Sequence, residues 1–143
     1  MSGSGTDALY QSLDDMGVEV FVCPLSRFKA LASPDGYLGI NPYVIDSRAE
    51  ELEILMHEEA HFATNTFYQY DSAFTVRRHQ EHVALRFAIE KHFPVSAIRR
   101  AIRQGNTELW ELAEHFGVTD AYMADILQYY QDSKGITFFG GAK

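Results

Sequence analysis

The chain has 143 residues, a net charge of −8 and hydrophobic residues at 46% of positions. This length suits one domain, and the apolar share is enough for a hydrophobic core. The acidic balance argues against general affinity for nucleic acid. No apolar run approaches the ~20 residues of a membrane-spanning helix, and the single cysteine, Cys23, cannot form an intramolecular disulfide. Since the first residues also lack a signal-peptide pattern, we expect a cytoplasmic protein with no membrane attachment.

The first third of the chain predicts one helix and a small sheet. Thr6 is a candidate N-cap, and Gly17 a candidate end, for a helix over residues 7–16. Alternating or β-rich runs predict three short strands, at residues 18–22, 37–40 and 43–45. The segment between the first two strands is expected to be irregular and to end in the turn signal Ser33-Pro34-Asp35-Gly36. We therefore expect the strands to form a small antiparallel sheet.

The next predicted helix, over residues 48–65, carries the candidate chemistry. Ser47 and Glu50 form a capping-box pattern at its start. The helix contains His57-Glu58-Glu59-Ala60-His61, which matches H-E-x-x-H, the signature of zinc metallopeptidases. Histidines four residues apart project from one face of a helix, so both rings can bind one zinc ion. Glu58 is then placed to act as general base towards water, whereas Glu59 is out of register and is expected to be solvated or to support the ligands.

A catalytic zinc site needs a third protein ligand. Glu81 is favoured because it follows His61 by twenty residues, near the start of a helix predicted over residues 76–91. A loop and an antiparallel helix would bring Glu81 back over the motif. His79 and His82 flank Glu81 and are its serious rivals, and the weaker candidates are Asp71, His92 and His115. The group that stabilises the oxyanion stays open among Tyr68, Tyr70, His79 and His82.

The C-terminal third predicts three short helices and a tail. The helices are expected at residues 96–104, 108–116 and 120–130, with N-caps at Ser96, Thr107 and Thr119. Residues 109–130 also resemble a DNA-binding helix-turn-helix. Residues 120–132 contain no lysine or arginine, however, which makes a poor surface for phosphate and favours a plain helical hairpin. Basic residues concentrate between Arg77 and Arg103; we interpret them as a solvated helix face, with a docking surface for an acidic partner as the alternative.

Together these elements predict an α+β fold that is mainly helical, with a zincin-like active-site helix and a small antiparallel sheet. We expect a single metallopeptidase domain over residues 1–143. Its parts would be a catalytic core at about 6–95, a C-terminal helical hairpin at about 96–131 and a tail at 132–143.

Four segments carry a resemblance to a known family: residues 35–41, the motif helix at 50–61, the stretch Glu81-His82-Val83-Ala84-Leu85-Arg86-Phe87-Ala88, and residues 109–119. The chain resembles the ImmA/IrrE metallo-endopeptidases of bacteria, prophages and mobile elements, which belong to the gluzincin class. Two positions depart from the family pattern, since Ala60 replaces a frequent glycine and Leu85 a frequent asparagine.

The resemblance implies a function as well as a fold. It implies Zn²⁺ held by His57, His61 and Glu81, with Glu58 as the catalytic base. The implied substrate is a protein, a helix-turn-helix repressor that binds DNA, while the protease itself is not expected to bind nucleic acid. The alternative is a non-catalytic anti-repressor or binding protein on the same fold.

Overall fold

Six α-helices and a three-stranded sheet make up the part of the chain that the computed structural model describes, residues 4–24, 27–68 and 72–139. The helices are α1 Ser4–Asp15, α2 Arg48–Thr64, α3 Phe74–His92, α4 Val95–Arg103, α5 Leu109–Phe116 and α6 Asp120–Lys134. The strands are β1 Glu19–Val22, β2 Ala30–Ser33 and β3 Tyr37–Ile40. The predicted fold class, mainly helical α+β, is confirmed.

All six helices lie where the sequence predicts them, but several ends differ. The helix α1 begins at Ser4, so Thr6 lies inside it and is not its cap. Pro94 and Glu108 are the N-caps of α4 and α5, in place of Ser96 and Thr107. The observed ends differ from the predicted ones because more than one nearby residue can accept hydrogen bonds from the backbone N–H groups at a helix start. The caps predicted for α2 and α6 are confirmed, since the side chains of Ser47 and Thr119 each accept a backbone N–H.

The sheet is mixed, and the prediction that its strands are antiparallel is wrong for β1 and β3, the two predicted strands that form and pair. The central strand β3 runs parallel to β1 and antiparallel to β2. The strand β2 lies within the segment predicted to be irregular; it forms by pairing with β3 across the turn at residues 33–36. Gly36 has φ 102° in that turn, a conformation that favours glycine.

The strand predicted over residues 43–45 does not form. Residues Pro42–Val44 make a short 3₁₀-helix instead, and the Asn41 side chain accepts a hydrogen bond from the Tyr43 N–H at 3.1 Å. Proline at the start of a helical turn supplies the required φ, and its missing N–H costs nothing there. Local capping chemistry therefore outweighs the β propensity of this segment.

The chain folds as two compact units, Met1–Ala88 and Ile89–Lys143. In the first unit, α1 packs against α2 and β1. Its core includes the buried side chains of Leu13, Leu38, Leu55 and Met56. Since Leu55 and Met56 directly precede the motif, the apolar side of α2 is held in this core while the motif histidines lie further along the helix.

The second unit has its own core. Phe93 packs edge-on against Phe116, with ring centroids 5.2 Å apart. The Tyr130 hydroxyl donates a hydrogen bond to the Phe93 carbonyl at 2.7 Å. The helices α5 and α6 pack on each other, and Gly117, in the turn between them, has φ 76°.

Within the described residues, no helix combines the length and the apolar character that crossing a bilayer requires.

Candidate metal centre

The two motif histidines lie one turn apart in the second half of α2. Their Nε2 atoms are 3.1 Å apart, and their ring planes are inclined by 80°. His61 is buried, whereas the side chain of His57 is 44% exposed. The predicted geometry is therefore present: two imidazole nitrogens converge on one point beside the helix.

Glu81 reaches the same point from α3. Ala60 of α2 and Ala84 and Ala88 of α3 form one buried cluster, so the two helices meet at these small side chains. Positions 81, 84 and 88 share one face of α3, because residues three or four apart in a helix are neighbours. The face that packs on α2 therefore also presents the Glu81 carboxylate to the histidines.

The three side chains together could hold a metal ion. The Oε1 atom of Glu81 lies 3.3 Å from the Nε2 of His57, and its Oε2 atom lies 3.2 Å from the Nε2 of His61. Ligand atoms about 2.0–2.1 Å from a tetrahedral zinc are about 3.3–3.4 Å apart. The donor set, two imidazoles and one carboxylate, is also one that zinc accepts. His57, His61 and Glu81 therefore form a group that could hold a metal ion, with one ligand atom from each residue within 4.8 Å of the others.

The other ligand candidates are not part of this group. His79 and His82 lie on α3 beside Glu81, but both are exposed. His92 and His115 belong to the second unit, and Asp71 lies outside the described residues. Of the candidates that the sequence left open and the structure describes, Glu81 is the one that joins the two motif histidines.

Burial and mutual interactions shift the pKa values of all three groups. The hydrogen bond with His61 lowers the pKa of Glu81 to about 2, and the nearby His57 ring acts in the same direction. Burial lowers the pKa of His61, but its hydrogen bond to Glu81 and the charge of that carboxylate more than offset this, so the net shift is upward. Desolvation lowers the pKa of His57. The carboxylate is thus held in its ionised form, which is the form that binds a metal.

Glu58 lies near His61 and Glu81, and the pKa of its carboxyl group is raised. Desolvation raises the pKa of Glu58 to about 7, and the negative charge of Glu81 acts in the same direction. A general base works best when its pKa is close to the working pH. Its environment therefore gives Glu58 a pKa suited to the role that the motif predicts.

Tyr68 is the oxyanion candidate that the structure brings to this site. Its hydroxyl donates a hydrogen bond to Glu81 Oε2 at 2.8 Å. Partial burial and this hydrogen bond raise the pKa of Tyr68, so the phenol keeps its proton. The other tyrosine candidate, Tyr70, lies outside the described residues.

Two supporting residues were not anticipated from the sequence. Ser12 of α1 donates a hydrogen bond to Glu59, which is completely buried and therefore not solvated. Thr66 lies just after α2 and contacts the Nδ1 atom of His61. The polar run Thr64-Asn65-Thr66 was the available signal for the second contact, because such residues often bond to the backbone at helix ends.

A pocket of about 540 Å³ lies at the opposite end of α2, with Tyr10, Val22, Ile45 and Arg48 in its wall. Arg48 precedes His57 by nine residues, which corresponds to about 14 Å along a helix. The lining includes none of the metal-binding candidates. The candidate metal centre is instead open to solvent, since the side chains of His57 and Glu81 are 44% and 37% exposed.

Comparison of the chain with protein-family models, with curated proteins and with solved structures gives no match. The functional interpretation therefore depends on the residues of this chain and on the geometry of the site.

Proposed function

We propose that this protein is a zinc-dependent metallo-endopeptidase of the ImmA/IrrE type, which hydrolyses a peptide bond in a protein substrate. The observation that carries the proposal is the convergence of His57, His61 and Glu81. The two histidine Nε2 atoms are 3.1 Å apart, and each lies 3.2–3.3 Å from one oxygen of the Glu81 carboxylate. Glu58 follows the first of these histidines directly in the chain, as the H-E-x-x-H pattern requires.

Each residue has a distinct role in the proposed reaction. His57, His61 and Glu81 hold the ion. When bound, zinc lowers the pKa of water towards ~7 and polarises a carbonyl group. Glu58 accepts the proton of the attacking water and passes it to the leaving amine, which a pKa of about 7 allows in both directions. Tyr68, whose hydroxyl donates to Glu81 Oε2 in this structure, would turn from that carboxylate to donate a hydrogen bond to the carbonyl oxygen as negative charge develops there.

The exposure of the site supports a macromolecular substrate. The His57 side chain is 44% exposed and that of Glu81 is 37% exposed, so an extended segment of another protein has access to both. The resemblance to the ImmA/IrrE proteins supports a more specific substrate, a helix-turn-helix repressor. A repressor that binds DNA would place the reaction in the cytoplasm.

The proposal is tested by metal content and cleavage together. Protein purified without chelator is expected to contain about one zinc per chain, and a Glu58→Gln variant is expected to contain as much. The substrate to assay is a helix-turn-helix repressor encoded beside this protein. Wild-type protein should cleave it, whereas the Glu58→Gln variant should lose about 10²–10⁴-fold in rate.

Two results would contradict this function. A zinc-free wild-type protein would exclude a metallopeptidase. Release of the repressor from DNA by the wild type and by Glu58→Gln alike, without cleavage, would favour the non-catalytic anti-repressor.

A further inference from the structure

The C-terminal end of α2 is built around His61. The backbone N–H groups of Asn65 and Thr66 both donate to the His61 carbonyl, the latter at 3.1 Å. Asn65 has φ 55° and ψ 42°, and it is the one non-glycine residue with positive φ among those described. This left-handed cap reverses the chain and brings Thr66 back beside the imidazole ring of His61.

The contacts at Thr66 determine which ring nitrogen of His61 carries the proton. The Nδ1 atom lies 2.6 Å from the Thr66 carbonyl oxygen and 3.0 Å from Thr66 Oγ1. A carbonyl oxygen can only accept a hydrogen bond, so Nδ1 must be the donor. The other ring nitrogen, Nε2, lies 3.1 Å from His57 Nε2 and 3.2 Å from Glu81 Oε2, and it is the atom whose lone pair can then be given to a metal.

Two hydroxyl groups extend this arrangement into a chain in which each proton has a defined acceptor. Thr64 Oγ1 donates to the Ala60 carbonyl at 2.7 Å. Its proton is therefore not available to Thr66, and the 2.7 Å contact between the two hydroxyls must be donated by Thr66. Thr66 Oγ1 consequently faces His61 as an acceptor only. Both oxygens of Thr66 thus favour the same tautomer of the ring.

We infer that Thr66, held by the Asn65 cap and by Thr64, is a positioning residue that fixes His61 with its proton on Nδ1 and its Nε2 lone pair directed at the metal. The inference rests on the metal site of the proposed function and deepens it. Partners behind a metal-binding histidine typically contribute 10–100-fold to metal affinity, because they orient the ring and select the tautomer. His61 and Thr66 are each only 6% exposed, so water has little access to these hydrogen bonds.

The tautomer is measured directly on the metal-free protein. Nitrogen-15 NMR of the imidazole groups, recorded with chelator at a pH where His61 is neutral, distinguishes a proton on Nδ1 from one on Nε2. The sample is the Glu81→Ala variant, because the Glu81 carboxylate lies 3.2 Å from Nε2 and would itself attract the proton to that atom. We expect His61 to carry it on Nδ1, whereas an imidazole group in water prefers Nε2. A proton on Nε2 of His61 would overturn the inference. This readout needs neither zinc nor a substrate, so it is independent of whether the chain is a peptidase.

Zinc affinity of the purified full chain tests the consequence. Thr66→Val removes the hydroxyl but keeps the branched shape, and it is expected to weaken zinc binding about tenfold. The control Thr75→Val makes the same change at an exposed position of α3 and should bind zinc as the wild type does.

A matched pair at Asn65 tests the backbone contact. Glycine accepts the left-handed conformation and valine resists it. Asn65→Gly should therefore keep wild-type zinc affinity, and Asn65→Val should lose 10–100-fold. Wild-type affinity in both Thr66→Val and Asn65→Val would overturn the inference, whereas a wild-type chain that binds no zinc would overturn the proposed function and leave the tautomer result to stand alone.

Discussion

Ser12 of α1 donates a hydrogen bond to the carboxyl group of Glu59 in α2, with 2.6 Å between Ser12 Oγ and Glu59 Oε2. Glu59 is completely buried and stands between Glu58 and His61 in the chain. The hydrogen bond therefore ties α1 to the motif segment of α2, on the side of the helix that faces the core.

Replacing Ser12 by alanine should destabilise the protein. The change removes a hydrogen bond to a buried carboxyl group, and one such bond contributes about 0.5–1.5 kcal/mol. Urea denaturation of metal-free protein measures the loss. Ser96→Ala is the control, because Ser96 is exposed on α4 and its replacement should change the free energy of unfolding by less than about 0.5 kcal/mol. Equal stability of the two variants would show that the Ser12 contact contributes little.

Glu58 should make the stability of the metal-free protein depend on pH. Desolvation raises its pKa from 4.5 to about 7, so the folded state holds the proton more tightly than the unfolded chain. The resulting stabilisation is complete below about pH 4.5 and is lost as the pH rises through about 7. Glu58→Gln stays neutral, so it should match the wild type at low pH and exceed its stability at pH 8.

Denaturation with chelator across this pH range tests the Glu58 prediction. Glu114→Gln, an exposed change in α5, is the control and should follow the wild-type profile. Parallel profiles of wild type and Glu58→Gln would argue against a raised pKa at Glu58.

Removal of the Glu81 carboxylate should weaken metal binding more than removal of His79 or His82, the histidines that flank it on α3. Glu81→Ala deletes a side chain whose oxygens lie 3.2–3.3 Å from both histidine Nε2 atoms. Loss of a direct ligand should cost at least the ~100-fold in zinc affinity seen for supporting residues. Competition with a fluorescent chelator measures it. His79→Ala and His82→Ala are matched controls on the same helix, and a larger loss in either would make that histidine the third ligand.

Tyr68→Phe should slow cleavage while leaving zinc in place. The proposed role of the hydroxyl is to donate a hydrogen bond to the substrate carbonyl, and loss of one such donor typically costs about 10²–10³-fold in kcat. Steady-state kinetics with metal analysis of the same samples measures both effects. Tyr37→Phe, in β3, is the control. A variant that loses zinc and activity together would instead show that Tyr68 acts by holding Glu81, to which it donates at 2.8 Å.

The sequence predicted the parts of the site that depend on local spacing. Four-residue spacing alone places His57 and His61 on one face of a helix, and the Ser47 cap fixes where that helix begins. Glu81 was favoured by its distance along the chain, but His79 and His82 met nearly the same criterion. The mixed sheet was not predictable in this way. In the sheet β1 lies beside β3, although β2 is the strand that follows β1 in the chain.

The sequence by itself determined a capped helix with a metal-binding motif, since helix formation and ligand spacing depend on residues within a few turns of one another. Only the tertiary structure decided which group joins the two histidines, because the buried cluster of Ala60, Ala84 and Ala88 turns the face of α3 that carries Glu81 towards α2. Packing also buried Glu59 against Ser12 and raised the pKa of Glu58 by desolvation. These properties depend on which groups exclude water from a side chain, and distant parts of the chain supply those groups.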